Sequence, residues 1–380
     1  MTSRERMLAA VRGEPVDRVP CCVIFNPLAE VVRRGHPWNF PWAPDTPAAT
    51  QRRYQVEELG LDQAVYFEAD LCAPVEGVEA RVWSEGDVLH KAYTTPCGPL
   101  HAAIRHRQLW PHGEDIPFHS DFNVGHYVEP WLQTEADLAA FQCVRRLQTS
   151  PAAIARVRQQ AAEARRAADE YGLATIAAVG AGLTSAQQLF GVRELCLLTI
   201  ENPGLVDAYL EYEHQINLAT LQALAGSGCD LVRRNGFYET ADFYSPAMLE
   251  RFLGDRLRAE ARAARAAGMP MTYTVHTGVM PILDYLAGLR LDSLFGIDLA
   301  FAGVDPVRIR DRLAGISSFW TGPSSTYHLW QGPEATRAAV RTVFALFGKR
   351  GLILAPCVSV HSTMPWASTL AMIDEWRRLR

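Results

Sequence analysis

Two spacings of apolar residues alternate along the chain. Short apolar or β-branched runs occur at 19–25, 62–67, 173–179, 230–233, 271–275, 292–295, 317–321 and 352–355. They have the length and composition of buried strands. From residue 134 onward, segments with apolar residues three and four apart separate them: 134–142, 150–171, 203–225, 246–267, 306–313, 333–347 and 364–378. Strand alternating with helix is the pattern of a parallel sheet. Eight such strands, with no Gly-x-Gly-x-x-Gly turn, predict an α/β fold of the (β/α)8 TIM-barrel type rather than an open dinucleotide fold. A capped helix is expected over 2–13. Residues 82–107 alternate polar and apolar around the turn Thr95-Pro-Cys-Gly98, which reads as a β-hairpin excursion. With the stretch that follows, it forms an insertion over about 79–130. Its latter part carries His106, His112, His119 and His126 among Gly, Pro and Asp, and is expected to be a long loop or lid. No repeat or low-complexity linker interrupts the chain, so 1–380 is read as a single barrel domain.

Composition narrows the class. A chain of 380 residues, 48% hydrophobic and 21% charged, is an ordinary globular protein. The net charge is −5, and the arginines are scattered among acids, so nucleic acid is not an expected partner. No apolar run reaches the ~20 residues needed to span a bilayer, and the N-terminus opens an amphipathic helix rather than a secretion signal. Eight cysteines lie far apart without a CxxC. The expectation is a cytoplasmic protein with reduced thiols.

Candidate chemistry gathers at strand ends. The stretch Gly268-Met-Pro-Met-Thr-Tyr-Thr-Val-His276-Thr-Gly278-Val-Met-Pro-Ile-Leu-Asp284 reads as strand, turn and helix, with His276 where a barrel keeps its chemistry. Asn26, Glu239, Asp242, Asp298, His328, Cys357 and His361 occupy similar places. His276, Cys357 and a carboxylate, Glu239 or Asp242, make a mixed N/S/O set that suits catalytic zinc. Single His and Cys residues at strand ends also pack or hydrogen-bond without any metal. Asp242, Tyr238 and His328 are the acid–base candidates. Phe237, Tyr238, Phe243 and Tyr244 either wall an aromatic pocket or pack helix on sheet.

Nearly end to end, the chain resembles the uroporphyrinogen decarboxylase superfamily, and within it the corrinoid-linked methyltransferase branch. The matching pieces are Arg4-Glu-Arg-Met-Leu-Ala-Ala-Val-Arg-Gly-Glu-Pro-Val-Asp-Arg-Val-Pro20, Thr95-Pro-Cys-Gly-Pro-Leu100, Asp242-Phe-Tyr-Ser-Pro-Ala-Met-Leu-Glu-Arg-Phe252, His276-Thr-Gly with Pro281-Ile-Leu-Asp284, and Gly351-Leu-Ile-Leu-Ala-Pro-Cys357. The resemblance implies a barrel with its site at the C-terminal mouth. True decarboxylases of this kind carry an early Arg-Gln-Ala-Gly-Arg segment that grips tetrapyrrole carboxylates. Here the equivalent region is Phe25-Asn-Pro-Leu-Ala-Glu-Val-Val, without those bidentate partners. The methyltransferases hold zinc through a His-x-Cys pair and a late Cys. Cys357 matches the late Cys, whereas a gapless alignment back from Pro281 puts the pair on Thr274 and His276, so one thiolate is missing. The resemblance therefore implies zinc at His276, Cys357 and Glu239. It implies a small substrate, a methoxylated aromatic or a thiol, and a corrinoid carried on a partner protein, with a homodimer as a further association. A metal-free decarboxylase or lyase using Asp242, Tyr238 and His328 is the alternative.

Overall fold

The computed structural model describes residues 1–27, 35–106, 110, 112–119 and 126–380. Two compact units make up the chain: 1–69 with 158–179 and 224–380, and 70–157 with 180–223.

The first unit holds seven parallel strands: β1 (Ala64–Glu68), β2 (Ala174–Val179), β3 (Leu231–Asn235), β4 (Met271–Thr274), β5 (Ser293–Phe295), β6 (Ser318–Thr321) and β7 (Leu352–Leu354). They are hydrogen-bonded in chain order from β1 to β7. An eighth stave is the segment 20–25. Cys22 N–H donates to Leu354 O at 3.0 Å, and Leu354 N–H donates to Pro20 O at 2.8 Å. On the other side Asp62 N–H donates to Cys21 O at 2.8 Å, and Gln63 Nε2 donates to Val23 O at 3.0 Å. The expected strand at 19–25 thus bonds to both neighbours of the gap. Its regular ladder is limited to Phe25–Asn26, because Pro20 has no N–H to contribute. The architecture is that of a TIM barrel, as the strand–helix rhythm predicted.

Side chains two apart share a face of a strand. The inward set includes Ala174, Ile176, Leu231, Phe295, Trp320 and Ile353, which pack with Met7, Ala10 and Val11 of the helix α1 (Ser3–Val11). That helix starts on a capping box: Thr2 accepts from Glu5 N–H, and Glu5 accepts from Thr2 N–H. It fills the lower, N-terminal end of the tube with apolar side chains. Outward-facing Leu352 and Leu354 pack instead with Val340, Val343, Met372, Ile373 and Trp376 of the last two helices.

The second unit contains an antiparallel sheet of Glu79–Glu85, Val88–Thr95, Gly98–Arg105 and Tyr127–Glu129. The expected hairpin is therefore two of four strands. Helices Gly182–Phe190 and Val192–Glu201 belong here too. Cys97 and Cys143 are joined as a disulfide, with Cα atoms 6.6 Å apart. The expectation of reduced thiols throughout is corrected at this pair, which sequence separation gave no reason to couple. Part of the expected lid, 107–109, 111 and 120–125, lies outside the described residues. No helix among the described residues is long and apolar enough to cross a membrane.

Candidate active site

At the upper end of the tube, β4 runs into His276-Thr277-Gly278. Gly278 takes φ +61°, and a Cβ there would stand 2.7 Å from Asp242 Cγ. Only glycine tolerates both conditions without strain. The turn is clasped to the loop after β3: Ala241 N–H donates to Gly278 O at 3.2 Å, and Thr277 Oγ1 donates to Asp242 at 2.6 Å. Asp242 thereby anchors the His276 turn. Tyr238, half-buried, meets Phe243 edge-on at 5.6 Å.

His276 Nδ1 lies 2.7 Å from Gly296 O. A carbonyl only accepts, so Nδ1 carries the proton and Nε2 presents a lone pair. No partner engages Nε2 among the described residues. The ring edge faces Phe301 at 5.8 Å, and Phe301 in turn meets Tyr327 at 5.3 Å. His328 has the opposite tautomer. Ser324 N–H donates to its Nδ1 at 3.0 Å, so its proton is on Nε2. Burial pushes the His328 pKa below its ordinary value, and the Asp298 carboxylate opposes that shift. Asp298 is itself held, accepting from Ser324 Oγ at 2.6 Å and from Ala300 N–H at 2.9 Å. The mouth thus presents Nε2 of two imidazoles, one whose Nδ1 donates to a carbonyl and one whose Nδ1 accepts from a backbone N–H.

Cys357 is 1% exposed. Its thiol lies 3.2 Å from Ile297 O and 3.2 Å from Thr321 Oγ1. Burial, reinforced by the Asp298 charge, pushes it up to about 12. Two successive carbonyls, Gly296 O and Ile297 O, therefore turn to opposite neighbours: the first takes His276 from the β4 side, the second takes Cys357 and Thr321 from the β6–β7 side. Glu239 sits elsewhere again, 0% exposed. It accepts from Tyr273 Oη at 2.5 Å and lies 3.6 Å from Arg234, which also pairs with Glu260 at 3.2 Å. The expected zinc set of His276, Cys357 and Glu239 does not come together. Among the described residues, no three His, Cys, Asp or Glu side chains stand close enough to hold a metal ion. The chemistry of the donors agrees. Glu239 oxygens are committed to Tyr273 and Arg234, and the Cys357 sulfur donates to a carbonyl as a thiol. His361 pairs with Asn26 in the short ladder closing the rim, and burial lowers its pKa.

Residues that spacing along the chain does not single out line the tube below this mouth. Arg233 extends inward from β3, its guanidinium carbon 5.2 Å from the Tyr66 ring of β1 and 5.8 Å from the Phe295 ring of β5. The signal for it was present in the strand: Leu231-Val-Arg-Arg-Asn places two arginines on opposite faces, and only one can meet the helix layer. A separate cleft of about 610 Å³ lies at the other ends of the strands, beside Gly13, Asp292, Ser317 and Gly351. Barrel chemistry belongs to the C-terminal ends, so the His276 end carries the functional weight.

The family model described as uroporphyrinogen decarboxylase (URO-D) matches residues 116–379. A solved methyltransferase from Methanosarcina mazei shares the fold with a TM-score of 0.59 at 17% identity, over 100% of this chain and 99% of that one. The putative vitamin-B12 independent methionine synthase from Listeria monocytogenes gives a TM-score of 0.39 at 14% identity, over 58% of this chain and 66% of that one. A xylose isomerase domain protein from Planctomyces limnophilus gives 0.37 at 14% identity, over 58% and 83%. No curated protein matches the chain.

Proposed function

The chain belongs to the uroporphyrinogen decarboxylase family, and from that premise we propose that it is a methyltransferase acting on a small molecule at the His276 mouth. The observation that carries the reading is the complementary pair of tautomers: Nε2 of His276 accepts while Nε2 of His328 donates. The end-to-end likeness to a methyltransferase supports it.

Removing a methyl group from an ether leaves an oxyanion that needs a proton. His328 Nε2–H donates a hydrogen bond that stabilises the departing oxygen, its neutral ring keeping its own proton, and His276 Nε2 takes a proton from water and passes it to that oxygen. In the reverse sense the same His276 Nε2 takes the proton from an incoming hydroxyl or thiol and returns it to water. The Gly296 carbonyl fixes the tautomer and the Asp242–Thr277 clasp fixes the turn, so neither ring must reorganise during the reaction. A corrinoid on a separate protein would supply the methyl exchange. No step is routed through zinc, because among the described residues no three His, Cys, Asp or Glu side chains stand close enough to share an ion.

The test is direct. Purified protein is mixed with methoxylated benzenes and reduced cobalamin, and phenol and methylcobalamin are measured. The reading expects both products in equal amounts. Release of CO2 from a uroporphyrinogen, with no phenol from any ether, would replace it with the metal-free decarboxylase.

A further inference from the structure

Below the mouth, inward positions on three adjacent strands carry polar side chains in one register. Arg233 of β3 is in register with Thr272 of β4, and Thr272 with Ser293 of β5. Thr272 and Ser293 are 0% exposed. Thr272 Oγ1, Ser293 Oγ and Arg233 Nε are all buried without a hydrogen-bond partner. Three such atoms on three adjacent strands are costly to leave unmet, each by roughly 1–3 kcal/mol. No carboxylate forms an ion pair with Arg233 among the described residues, Glu68 at the end of β1 included. Tyr66, two strands away on β1 and 5.2 Å from the guanidinium carbon, remains 38% exposed, so space is open at this level.

From these observations we propose that Arg233, backed by the Thr272–Ser293 row, binds the carboxylate of a small organic acid, the substrate of the mouth above it. The guanidinium carbon stands over the Tyr66 and Phe295 rings, and no carboxylate among the described residues pairs with its N–H groups. Its N–H edges then remain available for a bidentate carboxylate. Phe295 is in register with Thr274, two residues short of His276, or roughly 7 Å along the strand. An acid seated on Arg233 therefore directs the far side of a single ring at the two imidazoles. The assignment rests on the methyltransferase reading for the identity of the reacting group, but not for the anion itself.

Calorimetric titration of the full chain tests it with benzoate, the uncharged benzyl alcohol and inorganic phosphate, without any turnover. Benzoate should bind, and benzyl alcohol should bind at least about tenfold more weakly. Arg233→Met should lose benzoate affinity by a similar factor and keep that for the alcohol, while Arg233→Lys should fall between. Equal binding of acid and alcohol to the unaltered chain overturns the proposal, as does unchanged benzoate affinity in Arg233→Met. Phosphate binding as tight as benzoate and equally lost in Arg233→Met overturns the organic-acid assignment in favour of a free anion. Should Arg233→Met not fold, the acid–alcohol comparison and Arg233→Lys still decide. Benzoate binding without methyl transfer sinks the reaction and leaves this site. Methyl transfer from neutral ethers with no preference for acids does the reverse.

Discussion

Arg233 and Arg234 are neighbours in one strand, and the two faces of that strand treat their charges in opposite ways. Outside the tube, Arg234 meets Glu260 at 3.2 Å and Glu239 at 3.6 Å, and Tyr273 adds its hydroxyl to the same group. Inside it, Arg233 stands over two rings and has no ion-pair partner among the described residues, in register with a threonine and a serine whose hydroxyls are unmet. A buried charge with every partner in place is a structural joint between sheet and helix. A half-buried charge whose enclosed Nε is unmet is, on the proposal above, a place kept for something that arrives. The set of partners tells the two apart.

The largest expected effect breaks the outer face. Glu239→Ala leaves Tyr273 unmet and half of Arg234's compensation gone, and should cost roughly 3 kcal/mol in chemical denaturation, at the lower end for a broken buried pair because Glu260 remains. Arg233→Met, which removes an unmet group, should stay within about 0.5 kcal/mol of the parent or exceed it. If the two variants lose the same stability, the contrast between the faces fails. Next in size, His328→Gln should lower turnover by roughly 10²–10³-fold with stability little changed, measured as phenol release beside a melting curve. A smaller effect is expected at the clasp. Gly278→Ala forces a Cβ against Asp242 at a positive φ and should cost about 1–3 kcal/mol, read by denaturation. The smallest is a slope with pH. Burial lowers the folded pKa of His328 below 6.5, so the unfolded chain binds more protons. Stability should be complete above about pH 6.5 and decline as pH falls toward 5. Burial lowers His361 in the same direction, so His328→Gln should flatten the slope only in part.

Sequence spacing revealed the strand–helix rhythm because each of β2 to β7 is a short apolar run with turn residues beyond it. The helix Gly182–Phe190 was not separable from its apolar surroundings, since a buried helix shows no polar face to mark its period, and Val192–Glu201 exposes apolar Leu197 and Ile200, which blurs its face. The hydroxyl row was invisible for another reason: Thr272 and Ser293 are ordinary strand residues until the register aligns them with Arg233. Glu239 misled in the opposite direction. Its place just past β3 suggested the mouth, but Gly236 donates to Thr274 O, and the chain turns so that the carboxylate lies behind the sheet against Tyr273. Linear order locates a residue along a strand and says little about which side a tight turn gives it.

The plug formed by α1 has a consequence for traffic. With Met7, Ala10 and Val11 wedged among the lower side chains, the tube is a blind alley with a single doorway. Entry and exit would share that doorway, so under the reaction proposed above an acid would have to be lodged inside before a carrier protein drew up against the rim, and its product would leave only after that visitor departed.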